Sequence, residues 1–541
     1  MTSLRARSAC FIVLLLLSRP DSATAQATSH AGHGLGTVNF PASCSGPARA
    51  EINSGVALLH HMTYPQAQAA FQRAASLDPT CAIAHWGIAM TLFQPLWPTR
   101  PDLAARQRGW DAVQHAKSLG LPTARERALV AAAEAFFLEP QSPDYWLRIR
   151  RWEASMQRAH AALPNDPDVA TLYALAHLAT TPSDSISRSH PDRAASILLR
   201  VYQRHPDHPG AMHYLVHAND VPGRERQLVA ITRKYDSLAP SNPHALHMPT
   251  HIYVRLGEWD GVIRGNRLAA DAALLHPAGD LVWDEFPHAI EYLVYAHLQQ
   301  GDDVRAAAEV QRLHGTARLQ PTFKTAFHLA STAARYALER EAWEDAARIL
   351  PGEPASLGWE RFPWPEAVAH FARGLGAAHM GQPTDAAAAV VRLAQLRAKT
   401  EGAGEMLFAR NIGVLQLELS AWLAHLDGRS ASSVALMQAA EALEASTPKH
   451  AVTPGPTLPA GELLGNLFMD LQRPRDALAA YTRVLVQYPR RFNSLRGSAR
   501  AAAALGEGVL ARRHYQQLLE LGQHGTRHAA LAEAREYLAP R

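Results

Sequence analysis

The chain has 541 residues, of which 47% are apolar, 19% charged and 7% aromatic, and this globular composition excludes disorder throughout. Its 53 basic and 49 acidic residues nearly balance, so the net charge of +4 gives no support to nucleic acid or an anionic membrane as the main partner.

The N-terminus has the features of a secretory signal. Two arginines precede an apolar run over residues 9–17, and small residues then lead to a cleavage site before Gln26. We expect residues 1–25 to be removed, residues 26–46 to form a flexible leader, and the protein to be periplasmic or secreted. No later stretch approaches the length of an apolar membrane span, so the exported chain is expected to have no integral membrane segment.

The exported chain retains two cysteines, Cys44 and Cys81. In an oxidising compartment an even number of cysteines favours a disulfide, which would stabilise the N-terminal region by roughly 3 to 4 kcal/mol. Two buried thiols are the alternative. A cysteine metal site is disfavoured because the sequence has no C-x-x-C motif.

Small, aromatic and proline residues recur at fixed offsets. Gly55 is followed 16 residues later by Phe71 and 24 residues later by Pro79, within a segment whose apolar residues have the helical period. Gly465 is followed at the same offsets by Tyr481 and Pro489. Repetition of one spacing near both ends of the chain indicates repeated helical hairpins.

This spacing resembles the tetratricopeptide repeat, a helix-turn-helix unit of about 34 residues. Whole segments, such as residues 244–251, look like a group of exported bacterial proteins of this kind. The resemblance implies an all-α, right-handed superhelix, an α-solenoid, whose concave groove holds a protein or peptide ligand. We expect a main array over residues 47–447, a Pro/Gly-rich loop over 448–461 and C-terminal hairpins over 462–541.

Two histidine pairs stand out among the 28 histidines. His213 and His217 are four residues apart, as are His247 and His251, and the second pair lies 34 residues after the first. A spacing of four puts both imidazoles on one helix face, and a shift of one repeat puts the pairs on neighbouring helices. The sequence therefore predicts that these four imidazoles converge on one point of the groove.

Continuing the register of the resemblance along the chain places further polar side chains in the groove: His60, His244, His288, Glu291, Tyr295, His328 and Arg335. We expect His288 and Glu291 to join the four paired histidines as metal ligands. A carboxylate there either completes coordination or acts as general base on a bound water, which makes Glu291 the candidate catalytic residue. Asp284 and Glu285 in an inserted loop could supply an outer carboxylate or a lid.

Imidazole is a good ligand for Zn, Cu or Fe, so the sequence predicts a transition metal without identifying it. A polar groove for a peptide or anion, and core histidines bonded to backbone carbonyls, remain alternatives. The chain has no H-E-x-x-H, G-x-S-x-G or phosphate-loop motif, so the standard peptidase, hydrolase and nucleotide mechanisms lose their usual support. Two functions remain: an exported binding module with a metal site in its groove, and a metal-dependent hydrolase or oxidoreductase using the same cluster.

Overall fold

A computed structural model describes residues 34–97, 99–182 and 188–540, apart from the side chain of Asp236. Over these residues the chain forms 26 α-helices and two short 3₁₀ turns, and its β-structure is limited to two isolated bridges. The predicted signal sequence and residues 26–33 of the predicted leader lie outside the described residues. None of the described helices has the length and apolar character needed to cross a membrane.

The helices in chain order are α1 (Gly46–His60), α2 (Tyr64–Leu77), α3 (Ala82–Met90), α4 (Leu103–Ser118), α5 (Ala124–Phe137), α6 (Tyr145–Ala162), α7 (Pro167–Ala179), α8 (Ser189–Arg204), α9 (Pro209–Asn219), α10 (Glu225–Leu238), α11 (Pro243–His247), α12 (Pro249–Leu256) and α13 (Trp259–Leu275). They continue with α14 (Glu285–Gln299), α15 (Asp303–His314), α16 (Phe323–Leu338), α17 (Trp343–Ala347), α18 (Pro363–His379), α19 (Pro383–Gly402), α20 (Met406–Leu426), α21 (Ser430–Ala445), α22 (Ala460–Asp470), α23 (Pro474–Gln487), α24 (Phe492–Ala504), α25 (Gly508–Leu521) and α26 (His528–Leu538).

Helices that follow one another in sequence pack together, and most alternate helices also touch, which gives a second row. We call this row the inner row; it comprises α1, α3, α5, α7, α9, α11, α12, α14, α16, α18, α20, α22 and α24. Contacts of α1 with α9 and of α14 with α24 join distant parts of it. The predicted histidine pairs lie on this inner row.

The repeated spacing seen in the sequence has a repeated packing geometry. A Cβ added at Gly55 or Gly87 would lie 2.7 or 2.3 Å from the ring of Phe71. Near the other end, a Cβ at Gly465 or Gly497 would lie 2.5 or 2.4 Å from the ring of Tyr481. The same aromatic ring thus fills the space that two glycines leave on neighbouring helices, and the predicted all-α helical-repeat fold is confirmed.

One inner-row helix is divided. Pro249 lacks the N–H that would bond to the carbonyl of Ala245, and the helix breaks into α11 and α12 at Met248. The break lies between His247 and His251, so the two members of this predicted pair stand on separate helices.

The N-terminal region is covalently tied. Cys44 and Cys81 form a disulfide with a Cα–Cα separation of 4.9 Å, which places them where the sequence predicted a bridge. Farther along, Arg100 pairs with Glu405 at 3.0 Å and so joins the loop after α3 to the start of α20.

Candidate metal centre

A first set of three histidines comes from α9 and α11. Nε2 of His213 lies 3.1 Å from Nε2 of His217 and 3.1 Å from Nε2 of His244. His213 and His244 are fully buried, whereas His217 is partly exposed. We call these three residues the first histidine set.

The outer nitrogens of this set are held by oxygen acceptors. Nδ1 of His213 donates to the carbonyl of His60 at 2.5 Å, and Nδ1 of His244 donates to Glu285 at 3.2 Å. Burial alone would raise the pKa of Glu285, but the adjacent Lys324 and His244 hold that pKa well below its ordinary value. Glu285 is therefore an ionised acceptor for the His244 ring.

A second set comes from α11, α12 and α14. Nε2 of His247 lies 3.0 Å from Nε2 of His251 and 2.9 Å from Nε2 of His288, and all three side chains are buried. We call these residues the second histidine set. In each set the ligand atoms lie within 4.8 Å of one another, as three ligands of one ion would.

Two rings of the second set are oriented by polar side chains. Nδ1 of His247 donates to Oδ1 of Asn266 at 2.7 Å, while the Asn266 amide donates to the carbonyl of Val262 at 2.9 Å. Nδ1 of His251 donates to Asp220 at 2.9 Å. Lys449 and Arg255 offset the effect of burial and keep the pKa of Asp220 well below its ordinary value.

The third ring is oriented by a chain of three groups. Glu291 accepts from Nδ1 of His328 at 2.5 Å, so Nε2 of His328 is the acceptor for Nδ1 of His288 at 2.8 Å. The other Glu291 oxygen accepts from Ser331 at 2.6 Å and from Arg335 at 2.9 Å. Such outer-sphere partners fix the tautomer and orientation of metal-binding histidines.

These partners determine where the protons are. A neutral imidazole carries one N–H, and in five of the six rings that proton is on Nδ1. In these five rings Nε2 therefore carries a lone pair. Two such lone pairs face each other at 2.9 to 3.1 Å in three contacts: His213 with His244, His247 with His251, and His247 with His288. Facing lone pairs at this distance repel unless a cation lies between them.

Protons are poor candidates for that cation. Burial lowers the pKa of His213, His217, His247 and His288 well below the ordinary value, and neighbouring histidines lower it further. Burial lowers the pKa of His251 to about 4. These five rings are therefore neutral near pH 7, which is the form that binds a transition metal.

A third cluster of His60, Asp168 and His208 has the opposite arrangement. Nδ1 of His208 accepts the backbone N–H of Ala211 and caps α9, so its Nε2–H donates to Asp168 at 3.2 Å. Asp168 also pairs with Arg125 at 2.9 Å. Here the nitrogen protons point at the carboxylate, and the cluster is a buried hydrogen-bonded ion pair.

The two histidine sets are neighbours. The ring centroids of His217 and His251 are 5.9 Å apart, and those of His244 and His247 are 6.1 Å apart. Trp97 contacts one histidine of each set edge to face, and a cavity of about 440 Å³ reaches His217 along the same wall. The six rings thus form one centre with two positions and access from a cavity.

The structure changes several predicted roles. The four paired histidines do not converge on one point: His213 and His217 join His244, and His247 and His251 join His288. His244 was expected only to line the groove. Repeat packing explains the division, because the first pair stays on α9 and the second on the divided helix α11–α12, and each takes its third nitrogen from the next inner-row helix.

Glu291 is the main correction. It was predicted as a metal ligand and general base, but His328, Ser331 and Arg335 occupy both of its oxygens, so it lies behind the second set. Of the expected groove residues, His60, Tyr295, His328 and Arg335 are buried: His60 lies in the third cluster, Tyr295 accepts from Arg491, and Arg335 binds the loop after α21.

Sequence reasoning missed Asp220 and Asn266. Asp220 comes three residues after His217, a spacing that does not predict a contact with His251. Asn266 lies on α13, and its spacing from His247 does not predict their hydrogen bond. Glu285 was expected as a possible outer carboxylate, and its bond to His244 fits that role.

Comparison with known proteins gives little further information. No protein-family model and no curated protein matches the chain. Among solved structures, the Cut9-Hcn1 hetero-tetramer of APC/C matches with 13% identity and a TM-score of 0.33, over 91% of this chain and 96% of the matched chain. The human IFIT1 dimer with PPP-AAAA matches with 11% identity and a TM-score of 0.39, over 77% and 87%. At these scores neither similarity bears on function.

Proposed function

We propose that this protein binds two transition-metal ions, one in each histidine set. The observation that carries the proposal is the convergence of Nε2 atoms in two neighbouring sets, where a partner on Nδ1 fixes five of the six rings. Three histidines and an open position are typical of catalytic metal sites. The predicted signal sequence and the Cys44–Cys81 disulfide support export to an oxidising compartment.

The donor set favours copper or zinc. All six inner ligands are imidazole nitrogens, which suit Cu, Zn, Fe and Ni, whereas Mg, Ca and Mn prefer oxygen donors. The nearby carboxylates of Asp220, Glu285 and Glu291 bond to ring Nδ1–H groups and to cations, so they are outer-sphere groups. Iron pairs in helical proteins characteristically take carboxylate ligands, which this centre lacks among its described residues.

We infer an enzyme of the oxidoreductase class. The adjoining cavity gives a small molecule access to His217, and a pocket beside an open metal position is typical of catalytic sites. Hydrolysis would need a general base for a metal-bound water, and the three carboxylates nearest the centre are engaged elsewhere. A redox-active pair, with copper as the first candidate, needs no such base.

Binding of a protein or peptide in the concave groove stays a second proposal. Helical-repeat folds commonly present extended binding surfaces, and this supports an interaction role in addition to the metal centre. The burial of both histidine sets argues against an open groove in which a peptide itself would reach the ions.

The test is the metal content of the exported protein. Metal-free protein titrated with Cu or Zn should bind two ions per chain, measured by mass spectrometry of the metal after dialysis. His244→Ala and His288→Ala should each lower the count to about one, because each removes a ligand from a single set. His208→Asn is the matched control: asparagine can still cap α9, and two ions should remain.

Two outcomes of this experiment would contradict the proposal. A wild-type chain that binds less than one ion, or a loss of metal in His208→Asn equal to that in His244→Ala, would contradict the proposed centre. Circular dichroism of each variant shows whether the helices are retained.

A further inference from the structure

One wall of the cavity beside His217 is aromatic. The rings of Trp364 and Phe408 stack at 5.3 Å, and His450 meets them edge to face at 6.0 and 5.7 Å. Further aromatic side chains complete the lining: Trp97, Tyr145, Trp146, Phe327 and Tyr488. Faces and edges of this kind bind a flat ring by stacking and edge-to-face contact.

A second feature of the cavity is a local excess of positive charge. The carboxylate of Asp220 accepts from both Arg255, at 2.7 Å, and Lys449, at 2.5 Å. One negative charge therefore faces two positive charges at this place in the lining. Glu444 also lines the cavity, but it accepts the backbone N–H of Ala460 and burial raises its pKa to about 7. Arg100, another cation in the lining, is neutralised by its pair with Glu405.

A hydrogen-bond donor lies beside this positive site. Nδ1 of His450 accepts the backbone N–H of Val452 at 3.0 Å, so the proton of the neutral ring is on Nε2. Burial lowers the pKa of His450 to about 3, which keeps the ring neutral. Lys449 and His450 together suit an anionic acceptor.

We propose that the cavity binds a small aromatic molecule with an anionic group of the carboxylate class. Its ring lies against Trp364 and Phe408, its anionic group pairs with Lys449, and its far end reaches the metal position next to His217. A cavity of about 440 Å³ accommodates one or two rings. The proposal rests on the proposed metal centre, because the ion is what the reactive end would meet.

The experiment uses three matched probes on the zinc-loaded protein. We would measure binding of 3-phenylpropionate, of neutral 3-phenylpropanol and of 3-cyclohexylpropionate by calorimetry. The aromatic acid should bind about ten-fold more tightly than either of the others, because only it supplies both the ring and the charge. This comparison needs no variant.

Variants separate the two contributions. Lys449→Met should weaken binding of the aromatic acid about ten-fold and leave that of the neutral alcohol unchanged. Trp364→Leu should weaken both aromatic probes. The control is Lys399→Met, which changes an exposed lysine bonded to the carbonyl of Glu360 and should alter neither affinity.

The outcomes distinguish this inference from the metal centre. Equal affinities for the three probes, or no binding of any of them, at two ions per chain would overturn the aromatic-anion proposal alone. A chain that holds no metal but still binds the aromatic acid would overturn the proposed function and retain the cavity assignment.

Discussion

Five of the six histidines of the centre use their two ring nitrogens for different tasks. The outer nitrogen donates a proton to the protein, and this leaves the inner nitrogen with a lone pair for the ion. Asp220 links the metal centre to the cavity, since it orients His251 and also accepts from Lys449 in the cavity lining. Loss of such an outer partner commonly costs 10- to 100-fold in metal affinity.

A buried histidine outside the centre gives a pH test. His61 donates from Nε2 to the carbonyl of Leu35 and accepts from Tyr235 at 2.7 Å, and burial lowers its pKa to about 3. Below about pH 6.5 the unfolded chain takes up a proton on His61 that the folded chain does not. The contribution of His61 to stability therefore falls by about 1.4 kcal/mol per pH unit as the pH drops toward 4.

We expect the stability difference between metal-free wild type and His61→Gln to shrink between pH 7 and pH 5. Urea unfolding at several pH values, with chelator present, measures it. If the free energies of unfolding of the two proteins ran parallel with pH, the prediction would be wrong, because His61 would then have the same pKa in the folded and the unfolded chain.

At the scale of the element, close helix packing depends on paired glycines. Gly465 and Gly497 leave room for the ring of Tyr481 between α22 and α24, and Tyr481 in turn donates to Asn466 at 2.6 Å. The break at Pro249 is a second feature at this scale, and Nε2 of His247 and Nε2 of His251 lie 3.0 Å apart across it.

We predict that Gly497→Ala destabilises the protein by about 1 to 3 kcal/mol, because the new Cβ would lie 2.4 Å from the Tyr481 ring. Gly402→Ala is the matched control: Gly402 ends α19 with nothing within 4 Å of an added Cβ, and this change should be neutral or slightly stabilising. Thermal unfolding of both variants gives the comparison, and equal losses would contradict the packing argument.

At the scale of the whole molecule, the C-terminal helices support the centre from behind. Arg491 donates to the hydroxyl of Tyr295 at 3.3 Å, the backbone of Phe492 donates to Gln299 at 3.1 Å, and Trp259 donates to the carbonyl of Arg490 at 3.0 Å. These contacts hold α13 and α14, and α14 carries His288 of the second set. Repeats that are distant in sequence therefore help to position the second histidine set.

Removal of residues 462–541 should lower the metal count, and the second histidine set should lose its ion first because α14 loses its apolar support. Removal of residues 528–541 alone keeps α24 and its contacts with α14, and should leave two ions bound. Metal analysis of the two shortened chains, with helicity as a control, makes the comparison. A full complement of metal in the shorter chain would show that α14 is held by its other neighbours.

Local periodicity was enough to predict the helical hairpins and the two His-x-x-x-His pairs, because each depends on residues within about one repeat of each other. The even cysteine count, together with the expected export, predicted the Cys44–Cys81 bridge. The division into two sets was decided by tertiary packing. Each set takes its third nitrogen from the following inner-row helix, His244 on α11 for the first set and His288 on α14 for the second. Likewise, Glu291 has the right register for a ligand, but Arg335 and His328 on α16 draw it away from the ions. Spacing along a helix determines which face a side chain is on, and only the neighbouring helices determine what it meets there.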